Sequence, residues 1–165
     1  MTDYKRTLAI AATDVPTRTK VSNYPEPFFT RMTNRKKKAL GEYFSLKNFG
    51  VNLTRLAPGG ESALMHTHKK QDEMIYVIEG HPTLVTESGE VLLSSGMCAG
   101  FPANGEAHHL VNRSDRDVLY LEIGDRTEGD EVCYPNDDIR AALDESGTWR
   151  FTHKDGTPYQ ADRYR

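Results

Sequence analysis

Short runs of apolar and polar residues, separated by turn-forming residues, occupy the middle of this 165-residue chain from Phe49 to about Glu122. Many short runs at close spacing predict an all-β sandwich or barrel, because successive side chains of a strand face opposite sides of its sheet. The predicted strands span residues 49–56, 62–68, 73–79, 82–86, 91–93, 110–112 and 118–123. The Ser88-Gly89 pair between two of them is typical of a β-hairpin.

The flanks of this β-rich region predict simpler elements. Residues 1–24 are polar and predict an arm draped over the main body, which residues 25–48 would anchor through proline and phenylalanine side chains. Residues 136–146 predict one short helix, because acidic residues suit its positive end and Gly147 can end it. We therefore expect one domain, made of an N-terminal arm (1–48), a barrel (49–125), and a short helix with a tail (126–165).

Composition narrows the classes of partner and compartment. A formal net charge of −3 gives no reason to expect nucleic acid or an anionic membrane as partner, and we interpret the short basic run at 35–38 as a solvated loop or helix face. Cys98 and Cys133 are isolated, so we expect two reduced thiols, with Cys98 small and buried. The absence of a long apolar stretch or a signal-peptide core predicts a soluble, cytoplasmic protein without a membrane partner.

Histidine and glutamate supply the strongest candidate for chemistry. His66 and His68 are two residues apart, which places both imidazoles on one face of a strand. Glu73 opens the next predicted strand after the polar corner at 69–72, and it would share that strand's inner face with apolar residues. A carboxylate there is costly to bury unless a cation or hydrogen bonds compensate it.

A third imidazole is available further along the chain, at His108 or His109. Adjacent strand residues point to opposite faces, so only one of the two enters the barrel, and the pattern does not say which. Three imidazole nitrogens and one carboxylate oxygen suit a divalent transition metal such as Zn, Mn, Fe or Ni, and disfavour Ca or Mg. Ordinary surface or core histidines are the alternative, and the residue pattern alone leaves the two interpretations evenly balanced.

Two stretches of the chain resemble the two motifs of the cupin superfamily. The first motif is matched by Gly60, His66, His68, Glu73 and Gly80. The second is matched by Gly96, Pro102, Gly105, His108 and Asn112, although one extra residue separates Pro102 from Gly105. The resemblance selects His108 over His109, and it implies one metal ion on His66, His68, Glu73 and His108 inside a double-stranded β-helix, or jelly-roll barrel, that is commonly dimeric.

The flanking residues are similar to a group of small bacterial cupins labelled as sugar-phosphate isomerases. This resemblance implies a homodimeric, metal-dependent enzyme acting on a small oxygenated molecule, such as a sugar or a sugar phosphate. An Fe(II)-dependent dioxygenase and a non-catalytic sensor of a small ligand remain alternative hypotheses. Isomerisation also needs a general base, for which Tyr76 and His109 are the candidates.

Further residues would surround the ion. The candidates for a pocket wall are Tyr76 or Val77, Phe101, Leu110 and Tyr120, although core packing is the favoured interpretation for each. Gln71 and Asp72 would either orient a metal-bound histidine or form a plain polar turn. Arg55 would either neutralise an anionic substrate or lie on the surface, and we favour the surface.

Overall fold

The strands of the computed structural model, which describes residues 8–159, belong to three hydrogen-bonded sheets. In chain order they are β1 Arg35–Ala39, β2 Phe49–Leu56, β3 Thr67–His68, β4 Glu73–Glu79, β5 Thr83–Thr86, β6 Gly89–Leu92, β7 Cys98–Phe101, β8 His108–Val111, β9 Val118–Asp125, β10 Glu131–Cys133, β11 Arg140–Leu143 and β12 Trp149–Thr152. Helical structure is limited to a 3-10 turn at Ala12–Asp14, α1 Phe28–Arg31 and α2 Leu40–Tyr43 within the described residues. No helix in that part of the chain is long and apolar enough to cross a membrane.

The sheets are antiparallel and the prediction of an all-β jelly roll is confirmed. The largest sheet has the strand order β1-β2-β9-β4-β7, and the others have the orders β12-β11-β10-β3 and β6-β5-β8. A backbone bridge between His66 and His108 joins the two smaller sheets, although the three ladders do not close into one continuous sheet. This bridge places two predicted site residues side by side.

Two apolar clusters hold these sheets together. One packs the large sheet against the β6-β5-β8 sheet and contains Leu56, Ile75, Val77, Leu84, Leu93, Leu110, Val118 and Tyr120. The other packs α1 and the preceding chain against the β12-β11-β10-β3 sheet and contains Tyr24, Phe28, Met32, Leu64, Val132, Tyr134, Ile139 and Ala141. Burying these side chains is the main favourable contribution to folding.

Alternation along β4 follows the predicted pattern. Ile75 and Val77 are buried on the inner face, and Glu73 shares that face at the start of the strand. Met74 and Tyr76 lie on the outer face, each 41 % exposed. The predicted bounds of β2 and β4 agree with the structure, whereas the predicted strand at 62–68 is a strand only at Thr67–His68.

The predicted helix at 136–146 is wrong, because this segment contains strand β11. Ile139 and Ala141 are buried two residues apart, which is the period of a strand, and β11 pairs with both β10 and β12. The acidic residues serve turns instead: Asp144 accepts backbone hydrogen bonds from Ser146 and Thr148. An isolated helix of this length is marginal, so pairing within the sheet prevails.

Two other expectations need correction. The basic run at 35–38 is neither a loop nor a helix face, because it forms strand β1 at the edge of the large sheet. Cys98 is exposed rather than buried, and Cys133 is also a free thiol. Residues 1–7 of the predicted arm and 160–165 of the predicted tail lie outside the described residues, and the three-part division of the chain stays a prediction.

Candidate metal centre

Three chain segments bring the candidate ligands together. His68 ends β3 and Glu73 begins β4 after a short polar turn, while His66 pairs with His108 across the bridge between the sheets. In that bridge each backbone N–H donates to the other residue's carbonyl, at 3.1 and 2.9 Å. Because both backbones are held by these bonds, the two imidazoles lie with their ring centres 4.8 Å apart.

The three imidazoles converge on one carboxylate oxygen. Oε2 of Glu73 lies 3.1 Å from Nε2 of His66, 3.2 Å from Nε2 of His108 and 3.5 Å from Nε2 of His68. All four side chains are largely shielded from solvent. His66, His68 and Glu73 form a group whose ligand atoms lie within 4.8 Å of one another.

The other ring nitrogens show which atoms carry protons. Nδ1 of His66 donates to the Leu64 carbonyl at 2.8 Å, and Nδ1 of His108 donates to the Glu106 carbonyl at 3.2 Å. When neutral, each of these rings therefore presents a lone pair on Nε2 to the Glu73 carboxylate. Several lone pairs facing a carboxylate repel each other unless protons or a cation lie between them. This arrangement is the one that metal-binding histidines adopt.

Asp130 holds the remaining imidazole and was not identified from the sequence. Its carboxylate is fully buried and accepts a hydrogen bond from Nδ1 of His68 at 2.5 Å through Oδ2. Its other oxygen accepts the backbone N–H of Lys70 at 2.7 Å. Asp130 lies 62 residues after His68 in the chain, and no spacing rule connects the two.

The residues expected to orient a histidine have other roles. Gln71 donates to the Thr127 carbonyl at 2.8 Å, and Asp72 accepts the Ala103 backbone N–H at 2.7 Å. Both side chains therefore tie neighbouring loops to the turn before β4. Gln71 and Asp72 therefore form a polar turn, which was the alternative to orienting a histidine.

Charge at the cluster favours an ionised carboxylate. Burial by itself would raise the pKa of Glu73, but the charge of His66 and hydrogen bonds from His108 and His66 hold that pKa well below its ordinary value. Burial acts to lower the pKa of His66, but the Glu73 carboxylate outweighs it and raises that pKa. The Glu73 carboxylate thus stays ionised inside the cluster.

The donor spacing fits a divalent transition metal. Metal–ligand bonds of about 2.1 Å place neighbouring ligands of a tetrahedral or octahedral ion about 3.0 to 3.4 Å apart. The separations from Glu73 Oε2 to the three Nε2 atoms, 3.1, 3.2 and 3.5 Å, lie close to that range. Nitrogen-rich donors of this kind do not suit Ca or Mg.

The two candidates for a general base do not lie in this cluster. Tyr76 points from the outer face of β4, away from Glu73. His109 follows His108 on β8 and points the opposite way, where its Nδ1 lies 3.1 Å from the Ala63 carbonyl. Burial lowers the pKa of His109.

A cavity of about 870 Å³ opens beside the cluster. Of the candidates for the pocket wall, Phe101, Leu110 and Tyr120 line the cavity, whereas Tyr76 and Val77 do not. His109 also contributes to the cavity wall, although it lies outside the cluster. Phe101 stacks on His108 with ring centres 3.5 Å apart and fixes that imidazole from one side. Arg55 lies outside the cavity in an exposed ion pair with Asp117, as the favoured interpretation has it.

A lysine and a glutamate form a second polar group inside this cavity. Nζ of Lys37 on β1 lies 2.5 Å from Oε1 of Glu122 on β9, and Asn52 of β2 donates to the same oxygen at 3.3 Å. Burial lowers the pKa of Lys37, while the pKa of Glu122 is lowered by Lys37 against the effect of burial. Glu122 on β9 is the cross-strand partner of Ile75 on β4, so it faces inward as Ile75 does. Ile75 lies two residues after Glu73, which places Glu122 diagonally across from Glu73.

Comparisons with known proteins agree with this architecture. Residues 52–124 match the model of the Cupin domain family. A sugar phosphate isomerase from a cupin superfamily, from Silicibacter pomeroyi, is 38% identical, with 93% of this chain and 97% of that chain covered and a TM-score of 0.85. A protein from Acidithiobacillus ferrooxidans, provisionally named a sugar phosphate isomerase, is 30% identical, with 78% and 81% covered and a TM-score of 0.68.

More distant similarity concerns the fold alone. The polyketide cyclase RemF from Streptomyces resistomycificus is 20% identical over 72% of this chain and 79% of that chain, with a TM-score of 0.59. No protein with curated function matches the chain.

We predict that His66→Ala and Glu73→Gln each remove most of the metal that copurifies with the protein, because each deletes a donor at the point of convergence. His109→Ala should leave the metal content nearly intact, since its ring faces the other way. Elemental analysis of protein purified without added metal measures all three. An equal loss in the His109 variant would contradict the ligand set.

We also predict that Asp130→Asn weakens metal binding by about 10- to 100-fold, because the amide no longer fixes the His68 imidazole as a carboxylate does. Competition with a chelator of known affinity gives the ratio. Asp115→Asn is the matched control, because Asp115 is exposed and remote from the cluster. Identical affinities in the two variants would mean that Asp130 does not support the site.

Proposed function

Since the chain belongs to the cupin superfamily, we propose that it is a metal-dependent enzyme that isomerises a small oxygenated molecule, of the sugar or sugar-phosphate kind. The observation that carries this proposal is the presence of two groups in one cavity. One is the cluster of imidazoles around Glu73, and the other is the Lys37–Glu122 pair. The names of the two similar proteins support the same reaction class.

The cluster would hold one divalent ion, such as Zn, Mn, Fe or Ni, on His66, His68, Glu73 and His108. When bound, such an ion acts as a Lewis acid that polarises a carbonyl group. Asp130 and the backbone carbonyls hold the imidazoles in orientation, so little rearrangement accompanies binding. Phe101 and the apolar core behind it exclude water from one side of the cluster.

Glu122 would supply the general base. Its Oε1 is engaged by Lys37 and Asn52, whereas its Oε2 makes no hydrogen bond among residues 8–159 and is free to accept a proton. Diagonal neighbours on adjacent strands lie about 7 to 8 Å apart, with their Cβ atoms somewhat closer, and Glu122 and Glu73 are such neighbours. A substrate of a few carbons, with its carbonyl at the cluster, would therefore reach Glu122 with an adjacent C–H.

Lys37 would complete the proton transfer. Its ammonium holds the Glu122 carboxylate in place, and burial lowers its pKa, so it can donate a proton to a substrate oxygen more readily than an exposed lysine. Glu122 thus takes the role for which Tyr76 and His109 were the candidates from the sequence.

We further propose a homodimer formed through the outer face of β4. Met74, Tyr76 and Ile78 are each 41 % exposed in a row on this face, and Met97 is 39 % exposed nearby. The adjacent strand β7 is the edge of the large sheet and pairs only with β4 among the described residues. An apolar row beside an open edge suits a second copy of the same surface. A cytoplasmic location also stays a prediction, supported by the two free thiols.

We predict that the metal-loaded protein exchanges the C2 proton of an aldose or aldose phosphate with solvent, as 1H NMR in D2O would show. Glu122→Gln should slow this exchange by about 100-fold or more while the metal content is retained, because the base is lost and the ligands are not. Glu145→Gln is the control, because Glu145 is exposed and the substitution makes the same chemical change.

Other outcomes of this experiment separate the alternatives. Bound iron with oxygen consumption, and no proton exchange, would indicate the dioxygenase. Ligand-induced thermal shifts without any turnover would indicate the sensor. Either result would contradict the proposed isomerase.

For the dimer, we predict that Tyr76→Glu converts a dimer into a monomer in sedimentation-velocity experiments, because a charge is buried at the interface without a partner. Tyr43→Glu, which lies on α2 away from this face, should remain dimeric. A wild-type protein that is monomeric at micromolar concentration would disprove the interface.

A further inference from the structure

Two glycines that pair across neighbouring strands lie on the inner face of the large sheet, beside Glu73. Gly50 of β2 is the cross-strand partner of Gly124 of β9, and Gly124 is the partner of Glu73 of β4. Cross-strand partners project to the same face of a sheet, so this row has three inward positions. Only Glu73 has a side chain at its position, because the other two residues are glycines.

The guanidinium of Arg126 occupies the space in front of Gly50. A Cβ atom at Gly50 would lie 2.5 Å from the Arg126 Nη2 atom and 2.9 Å from its Cζ atom. The backbone N–H of Arg126 donates to the Asn48 carbonyl at 3.0 Å, which fixes the start of this side chain beside β2. The Arg126 side chain thus lies directly over Gly50 and lines the cavity that contains the candidate metal ligands.

Among residues 8–159, this guanidinium has no anionic partner. Within residues 8–159, the Arg126 side chain makes no hydrogen bond or ion pair. Most carboxylates that line the cavity have other partners: Glu42 pairs with Arg18, Glu122 pairs with Lys37, and Glu73 belongs to the cluster. Asp125 accepts the backbone N–H groups of Asp72 and Thr127. Glu128, which is exposed as Arg126 is, forms no ion pair with it. A planar guanidinium has five N–H donors and binds phosphate or carboxylate oxygens in pairs.

We propose that Arg126 is the anion-binding residue of this cavity, so that the substrate carries a phosphate or carboxylate group. The inference rests on the proposed function, in which the carbonyl end of the substrate lies at the cluster. Arg126 would bind the opposite, anionic end of the same molecule. Gly50 lies two strands from Glu73, a distance of about 10 Å, which a short carbon chain bridges and a single small anion does not.

Charge balance favours the same class of substrate. A divalent ion beside ionised Glu73 leaves one net positive charge at the cluster when the imidazoles are neutral, and Arg126 adds another. The Lys37–Glu122 and Arg18–Glu42 pairs are each neutral overall. The remaining charged side chains of the lining are three cations and two carboxylates, so the sum stays positive: Lys20, Arg35, Lys47, Asp125 and Glu128. An anionic substrate therefore enters a cavity of opposite charge.

The experiment compares three probes by calorimetric titration of the metal-loaded protein: D-ribose, D-ribose 5-phosphate and D-glucuronate. Wild type should bind one of the two anions at least 10-fold more tightly than D-ribose, and which anion it prefers identifies phosphate or carboxylate. Arg126→Ala should remove about 10- to 100-fold of that affinity and leave D-ribose binding unchanged. Gly50→Ala should do the same, because its Cβ displaces the guanidinium.

Arg55→Ala is the matched control, since it deletes the same charge on the outer face. Anion binding that survives in Arg126→Ala, or a wild type that binds neither anion better than D-ribose, would overturn the subsite. Metal content is measured in every variant, so that loss of the ion is not mistaken for loss of the anion site. If the anion preference depends on Arg126 while wild type exchanges no C2 proton, the subsite stands and the proposed isomerase fails.

Discussion

The structure depends on keeping the Glu73 carboxylate ionised inside a protein. Burial opposes the charged form, and three imidazoles aimed at one oxygen provide the compensation. That compensation works only if each ring is held by its other nitrogen, because a free imidazole would turn to solvent or to another partner. Leu64, Glu106 and Asp130 supply these holds, two through backbone carbonyls and one through a buried carboxylate. A cation at the centre satisfies the same donors.

Strand register then determines what surrounds the cluster. On the inner face of the large sheet, the rung through Glu73 runs to Gly124 and Gly50, and the neighbouring rung runs from Ile75 through Glu122 to Asn52. In the first rung the Arg126 guanidinium lies over Gly50, and the second rung holds a carboxylate with its lysine. A shift of register by one residue would turn both sets of side chains outward. Cavity shape, proton transfer and anion binding are therefore consequences of the same pairing.

Local chemical pattern was sufficient for the predictions that rest on short spacings. The His-x-His pair, the start of β4 at Glu73 and the alternation along that strand could be predicted, because a strand's period of two relates neighbours directly. The resemblance to the cupin motifs pointed to His108, which the structure places 3.2 Å from the Glu73 oxygen. The failures fell where local preference and pairing compete: residues 136–146 have helix-like ends, but β10 and β12 recruit them into a sheet.

By itself the sequence determined the fold class and the residue types available to one site. Only the tertiary structure decided which distant groups meet there. Asp130 reaches His68 across 62 residues, Lys37 reaches Glu122 across 85, and Arg126 lies over Gly50. None of these pairs has a characteristic spacing, because each is created by antiparallel pairing between strands far apart in the chain. Side-chain direction can be predicted within a strand, but proximity between strands depends on the completed register.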